Sequence, residues 1–140
     1  MTVQVTIIDG PVPAEHATSP CGAGAAVLFR GIVRELEQGR PLQALEYEAY
    51  EPMAQRMLQT IAEELMHEHG LLSVHVIHSR GRVAVGACSF YLAIASPHRK
   101  EALAAMDAFI DQMKQDVPIW KKPIWRHSAG VASEPASGPG

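Results

Sequence analysis

The stretch 51–78, EPMAQRMLQTIAEELMHEHGLLSVHVIH, decides the fold class of this chain. Met53, Met57, Ile61 and Leu65 recur at i, i+4, with Ala54, Leu58 and Ala62 beside them. Arg56, Gln59, Glu63 and Glu64 take the opposite side, so the segment is an amphipathic helix with one buried face. Pro52 falls where a first helical turn tolerates a missing N–H, and Gly70 is a natural left-handed C-cap. The methionine-rich stripe reads as core packing, not as a cofactor surface. From Ser73 to His78 the residues become apolar and β-branched, the mark of a strand.

On the N-terminal side, Val3–Ile8 alternates as a first strand, and Pro11–Gly24 is an irregular connection rich in proline and glycine. Ala25–Arg34 is a second strand, with Val27, Phe29 and Val33 on one face and Leu28, Arg30, Ile32 and Arg34 on the other. Glu35–Arg40, polar and containing Gly39, is a loop or hairpin tip. Leu42–Tyr50 is a third strand, Leu45 and Tyr47 opposing Glu46 and Glu48. Beyond the helix, Gly81 and Gly86 punctuate the path to a further strand, Cys88–Ala95. A second helix is expected from Ser96 as N-cap and Pro97 to Asp116, with Leu103, Met106, Phe109, Ile110 and Met113 inward. Pro118 ends it, Ile119–Trp125 is a short strand or ordered loop, and the Ala/Ser/Gly/Pro stretch from Ser128 is expected to be disordered. The expectation is one α+β domain over 1–127, a mostly antiparallel sheet with two principal helices, and a tail over 128–140. Val27, Leu45, Met57, Ile61, Leu65, Met106, Phe109 and Ile110 are its expected core.

Composition narrows the function. The 140 residues are 47% hydrophobic and 19% charged, so the chain can bury a core without disulfide or metal. No apolar run is long enough to span a bilayer. Met1–Gly10 has no basic region followed by an apolar core, so a cytoplasmic location is expected. The net charge of −3 argues against general nucleic-acid binding. Six of the twelve Lys/Arg residues nevertheless fall between His98 and Arg126, which suggests a local anion site. Cys21 and Cys88 stand far apart and read as small, semi-apolar filler. His67 and His69 diverge on a helix end, and His75 and His78 face opposite sides of a strand. No metal and no cofactor are expected.

Two places hold candidate chemistry. His98, Arg99 and Lys100 crowd a helix start, where cations oppose the dipole unless an anion binds. A solvated basic turn is the alternative. Lys121 and Lys122 lie between Trp120 and Trp125, where partial loss of hydration makes a lysine a usable base or nucleophile. Two surface lysines with snorkelling stems are the alternative there. Lys114 sits in the last turn of the second helix, where the dipole already favours a cation, and Pro118 keeps it off any helix face shared with Lys121.

Four segments in this order resemble the large, catalytic subunit of molybdopterin synthase: FRGIVR at 29–34, LEYEAY at 45–50, SPHR at 96–99, and Lys114 followed by VPIWKK at 117–122. The resemblance runs from about Val3 to Trp125. It implies an α/β hammerhead-like fold, a homodimer within a heterotetramer, and a small ubiquitin-like partner whose C-terminal Gly-Gly tail carries a thiocarboxylate. The implied reaction transfers two sulfurs to cyclic pyranopterin monophosphate, giving the molybdopterin dithiolene. By the same resemblance Lys114 and Lys121 are the catalytic lysines. His98 and Arg99 bind the substrate anion, Arg34 is contributed across the dimer interface, and Lys122 lies in a substrate-contacting stretch. The chain departs from the family at Ser79, usually Arg, and at Ala87 and Pro123, both usually acidic. A non-catalytic anion-binding or scaffold paralogue of the same fold is the competing reading.

Overall fold

A computed structural model of the chain describes residues 1–14 and 19–127. The tail 128–140 and the middle of the Pro11–Gly24 connection lie outside the described residues. The chain runs β1 Thr2–Asp9, β2 Ala25–Ile32, β3 Leu36–Glu37, β4 Arg40–Ala49, α1 Met53–His69, β5 Ser73–Ala84, β6 Cys88–Ser96, α2 Arg99–Asp116 and β7 Ile119–Trp125. Among the described residues seven strands form one sheet with the path β2-β6-β5-β4-β3, β1 adding to β5 and β7 to β4. Among these strands only β1 and β5 run parallel, so the α+β, mostly antiparallel expectation holds.

Period-2 alternation divides the sheet into two faces. Val5, Ile7, Val74, Val76, Phe90, Leu92 and Ile94 pack under both helices, against Leu58, Ile61, Leu65, Ala102, Ala105 and Phe109. Phe90 and Phe109 stack with centroids 6.3 Å apart. Phe109 is well inside α2 and Phe90 near the start of β6, so α2 doubles back over the strand that feeds it. A smaller cluster of Val33, Leu42, Leu45 and Val83 holds the far end of the sheet, where β4, β5 and β7 meet.

Several expectations change in detail. The stripe of α1 is centred on Ala54, Leu58, Ile61, Ala62 and Leu65; Met57 is half-buried and Met53 lies at the exposed rim. Val27, Met106 and Ile110 are likewise half-buried against the core, whereas Leu103 is 52% exposed and points away. β2 ends at Ile32 because its register with β6 shifts between Gly31 and Ile32. Beyond that bulge Val33 packs into the second cluster, while the Phe29 ring, 37% exposed, meets Phe90 of the helix-side core at 6.0 Å. Gly81 does not end β5: its φ of 81° absorbs a backbone turn that only glycine takes cheaply, and the strand runs on to pair with β4. Cys88 is buried as expected, but Cys21 is exposed.

Helix ends set the positions that matter for chemistry. α1 stops at Gly70, φ 65°, whose N–H donates to the carbonyl of Met66. α2 begins two residues later than expected, with His98 as N-cap and Arg99 as the first helical residue. Ser96 instead donates its hydroxyl to the carbonyl of His98, which fixes the corner before the helix. Val117 caps the other end and Pro118 prevents continuation.

Candidate active site

α2 places its cations at two ends of the molecule. His98 and Arg99 sit at its N-terminus and Lys114 in its last turn. Fifteen residues at 1.5 Å each separate Arg99 from Lys114 by about 22 Å. Because α2 returns over β6, Lys114 lies at the sheet end where β6 starts. Arg34 follows Val33, which packs in the cluster that includes Tyr47 and Trp125. Lys121 stands directly across from Tyr47 on the β4–β7 pair. Arg34, Lys114 and Lys121 therefore lie toward the sheet end where β6 starts, and His98 with Arg99 at the end where it finishes.

The basic helix start is less unopposed than its sequence suggests. Glu101 shares the first turn, and its carboxylate lies 3.6 Å from Nδ1 of His98. Both His98 and Arg99 are exposed. Gly24 lies against this corner: a Cβ there would come within 2.3 Å of the carbonyl oxygen of Pro97. Absence of a side chain lets β2 approach the turn that presents the cations.

The lysine end is organised by β7. Lys121 and Lys122 are successive strand residues and so face opposite sides of the sheet. Lys122 lies across from Glu46, whose other neighbour is Arg82 on β5. Trp120, 57% exposed, lies across from Glu48 and not on the side of Lys121. On the Lys121 side the observed contact is an ion pair: Lys121 Nζ lies 3.1 Å from Oε2 of Glu37. Glu37 was not singled out by its sequence, where it is one polar residue of a hairpin.

Beneath Lys121 runs a polar set that strand alternation hints at but does not specify. Tyr47 donates its hydroxyl to Ser89 Oγ at 2.9 Å, and its ring meets the edge of the His78 imidazole at 5.4 Å. His78 is buried, with Nδ1 2.8 Å from the carbonyl of Ser79; burial pushes its pKa below the ordinary histidine value.

The three departures have local explanations. Ser79 is fully buried and donates to the carbonyl of Gly10 at 2.6 Å, while Arg80 beside it pairs with Asp9 at 2.6 Å and Glu51 at 2.5 Å. That guanidinium holds the Asp9 carboxyl below its usual range. Ala87 packs against the Val33, Leu42, Leu45 and Val83 cluster and its carbonyl accepts from Val33 N at 3.0 Å. Pro123 is buried opposite Leu45 on β7, which pairs with β4 alone and so tolerates a residue lacking an N–H.

An open hollow of about 670 Å³ on the helix-free face is bordered by Gln4, Leu28, His75, Tyr91 and Ala93 among others. None of the six expected site residues lines it. Among the described residues no three His, Cys, Asp or Glu side chains converge as a metal site, and no helix is long and apolar enough to cross a membrane.

Comparison with known proteins meets this geometry. A molybdopterin synthase catalytic subunit from Staphylococcus carnosus is 42% identical over 129 residues, covering 90% of this chain and 86% of that one. The crystal structure of molybdopterin synthase from Staphylococcus aureus superposes with a TM-score of 0.79 at 36% identity, covering 87% of this chain and 91% of that one. A complex of subunits 1 and 2 of molybdopterin-converting factor from Helicobacter pylori contains a chain matching at TM-score 0.68 and 25% identity, covering 94% and 93%. The MoaE protein family model matches residues 8–116, and the chain belongs to that family.

Proposed function

We propose that the chain works in molybdenum cofactor biosynthesis as the catalytic subunit of a molybdopterin synthase, a sulfurtransferase. It takes sulfur from the thiocarboxylated C-terminus of a small ubiquitin-like subunit and delivers it to cyclic pyranopterin monophosphate, in the cytoplasm. The observation that carries the reading is the placement of cations at the two ends of α2. Arg34, Lys114 and Lys121 at one end, and His98 with Arg99 at the other, Arg99 lying about 22 Å along the helix from Lys114, suit a pocket completed by a second copy. The edge strand β2 supports such a pairing, since Leu28 and Ile32 are 53% and 49% exposed.

In this reading His98 and Arg99 of one protomer hold the substrate phosphate with the free N–H groups of the helix start. Arg34 approaches from the other protomer. Lys114 and Lys121 stabilise negative charge that develops as the acyl–sulfur bond is broken, and assist proton transfer. Lys122 contacts substrate or partner from the opposite face of β7. The sulfur comes with the partner, so neither Cys21 nor Cys88 is required to act.

The test is reconstitution with thiocarboxylated small subunit and cyclic pyranopterin monophosphate, read as molybdopterin formed in a single turnover. Lys121→Ala and Lys114→Ala should each slow it by about 10²–10³, with the larger loss at Lys121, while melting curves stay close to the parent. Full turnover in both variants would remove the lysines from the mechanism. No product from the unaltered protein would favour the scaffold reading.

A further inference from the structure

We infer that Glu37 is a positioning residue for Lys121, fixing its ammonium group for the sulfur-transfer step; the inference rests on the role proposed above for that lysine. β3 and β4 form a tight hairpin in which Glu37 faces Arg40 and Leu36 faces Pro41. Gln38 and Gly39 turn it with φ of 53° and 76°, the left-handed pair of a two-residue hairpin loop. The hairpin grips β7 at two points. Arg40 lies over the Trp125 ring at 4.2 Å from its centroid, and Glu37 Oε2 meets Lys121 Nζ at 3.1 Å.

Burial distinguishes this pair from an ordinary surface contact. The Glu37 side chain is only 13% exposed, against 45% for Lys121. The carboxylate is held by the fold, and the lysine reaches out from it toward solvent. A lysine stem is flexible and loses much rotamer freedom on being fixed. An ammonium group has three donors, so one bond to Glu37 leaves two for an incoming anion. Glu37 touches no reacting atom in this arrangement and acts through Lys121.

The experiment compares single-turnover molybdopterin formation by Glu37→Gln, Glu37→Asp, Lys121→Ala and the Glu37→Gln/Lys121→Ala double variant, with small-subunit affinity and melting temperature for each. Glu37→Gln should slow the step about tenfold with small-subunit affinity and melting temperature unchanged. Glu37→Asp, which keeps the charge on a shorter stem, should lose less, and Glu37→Gln should cost nothing further once Lys121 is gone. A residue that merely fills space gives the reverse order, because glutamine has the shape of glutamate. Wild-type rates for Glu37→Gln, a slower Glu37→Asp than Glu37→Gln, or losses that multiply in the double variant would overturn the inference. If Lys121→Ala itself reacts at the wild-type rate, the lysine's catalytic role falls and the positioning role with it; a slow Lys121→Ala beside a fast Glu37→Gln removes Glu37 alone.

Discussion

At the scale of single residues, His78 carries a pH signature. It is buried between Tyr47 and Phe90, and burial lowers its pKa from 6.5. In the unfolded chain it binds a proton near that value, whereas in the fold it resists one. Stability is therefore complete above pH 6.5 and falls as the pH drops below it, by up to about 1.4 kcal/mol per pH unit from this group. The loss continues until the pH reaches the lower folded-state pKa. Chemical denaturation at several values between pH 7.5 and 5 should show this slope, and His78→Phe should flatten it. An unchanged slope in the variant would assign the acid sensitivity to other groups. His78 also shows where sequence stops being informative. Alternation places it opposite His75, but only the tertiary approach of Tyr47 reveals that it is enclosed. Glu37 is the same case: its partner on β7 is far along the chain and no period connects them.

Among elements, those with long repeats were legible and those shaped by a bulge or a corner were not. The amphipathic helix α1 and its Gly70 cap were readable because helix periodicity is local, although the buried face centres on Ala54 and Leu58 rather than on Met53 and Met57. The phase of β2 was not, since the shift at Gly31/Ile32 depends on its partner β6. Nor was the start of α2, because Ser-Pro suits an N-cap while the corner packed against Gly24 moves the first helical residue to Arg99. That corner is testable. Gly24→Ala sets a Cβ 2.3 Å from a backbone oxygen, which forces β2 and the Pro97 turn apart. We expect a loss of about 1–3 kcal/mol in denaturant unfolding and weaker substrate-phosphate binding, since His98 and Arg99 ride on the turn. A stable variant with full phosphate affinity would show that the corner yields without disturbing them.

For the whole molecule, the separation of Arg34 from His98 and Arg99 makes a prediction about assembly. The proposed pocket, shared between copies, draws Arg34 from one protomer and His98 with Arg99 from the other. Arg34→Ala and Arg99→Ala homodimers should both be impaired. Co-assembled, each mixed dimer regains one intact pocket and about half the wild-type turnover. If the pocket lay within one chain, every protomer in the mixture would carry a defect and activity would not return. The sequence disclosed the family and the sheet class through motifs and alternation, but not which ends of the chain face each other. That follows from α2 folding back over β6, a relation between elements.

The parallel pairing of β1 with β5 bears on how the protein is made. Thr2 aligns with Ser73 and Asp9 with Arg80, so the first strand emerges from the ribosome some seventy residues ahead of its partner. At roughly 5–20 residues per second, that is a delay of several seconds. Throughout it Val3, Val5 and Ile7 have no sheet to join, and α1 emerges before the strand that anchors its floor. The nascent chain presents an apolar segment to whatever chaperone waits at the tunnel mouth. Substitutions in Val3–Ile8 that leave the finished fold intact can therefore still change how much of it the cell recovers.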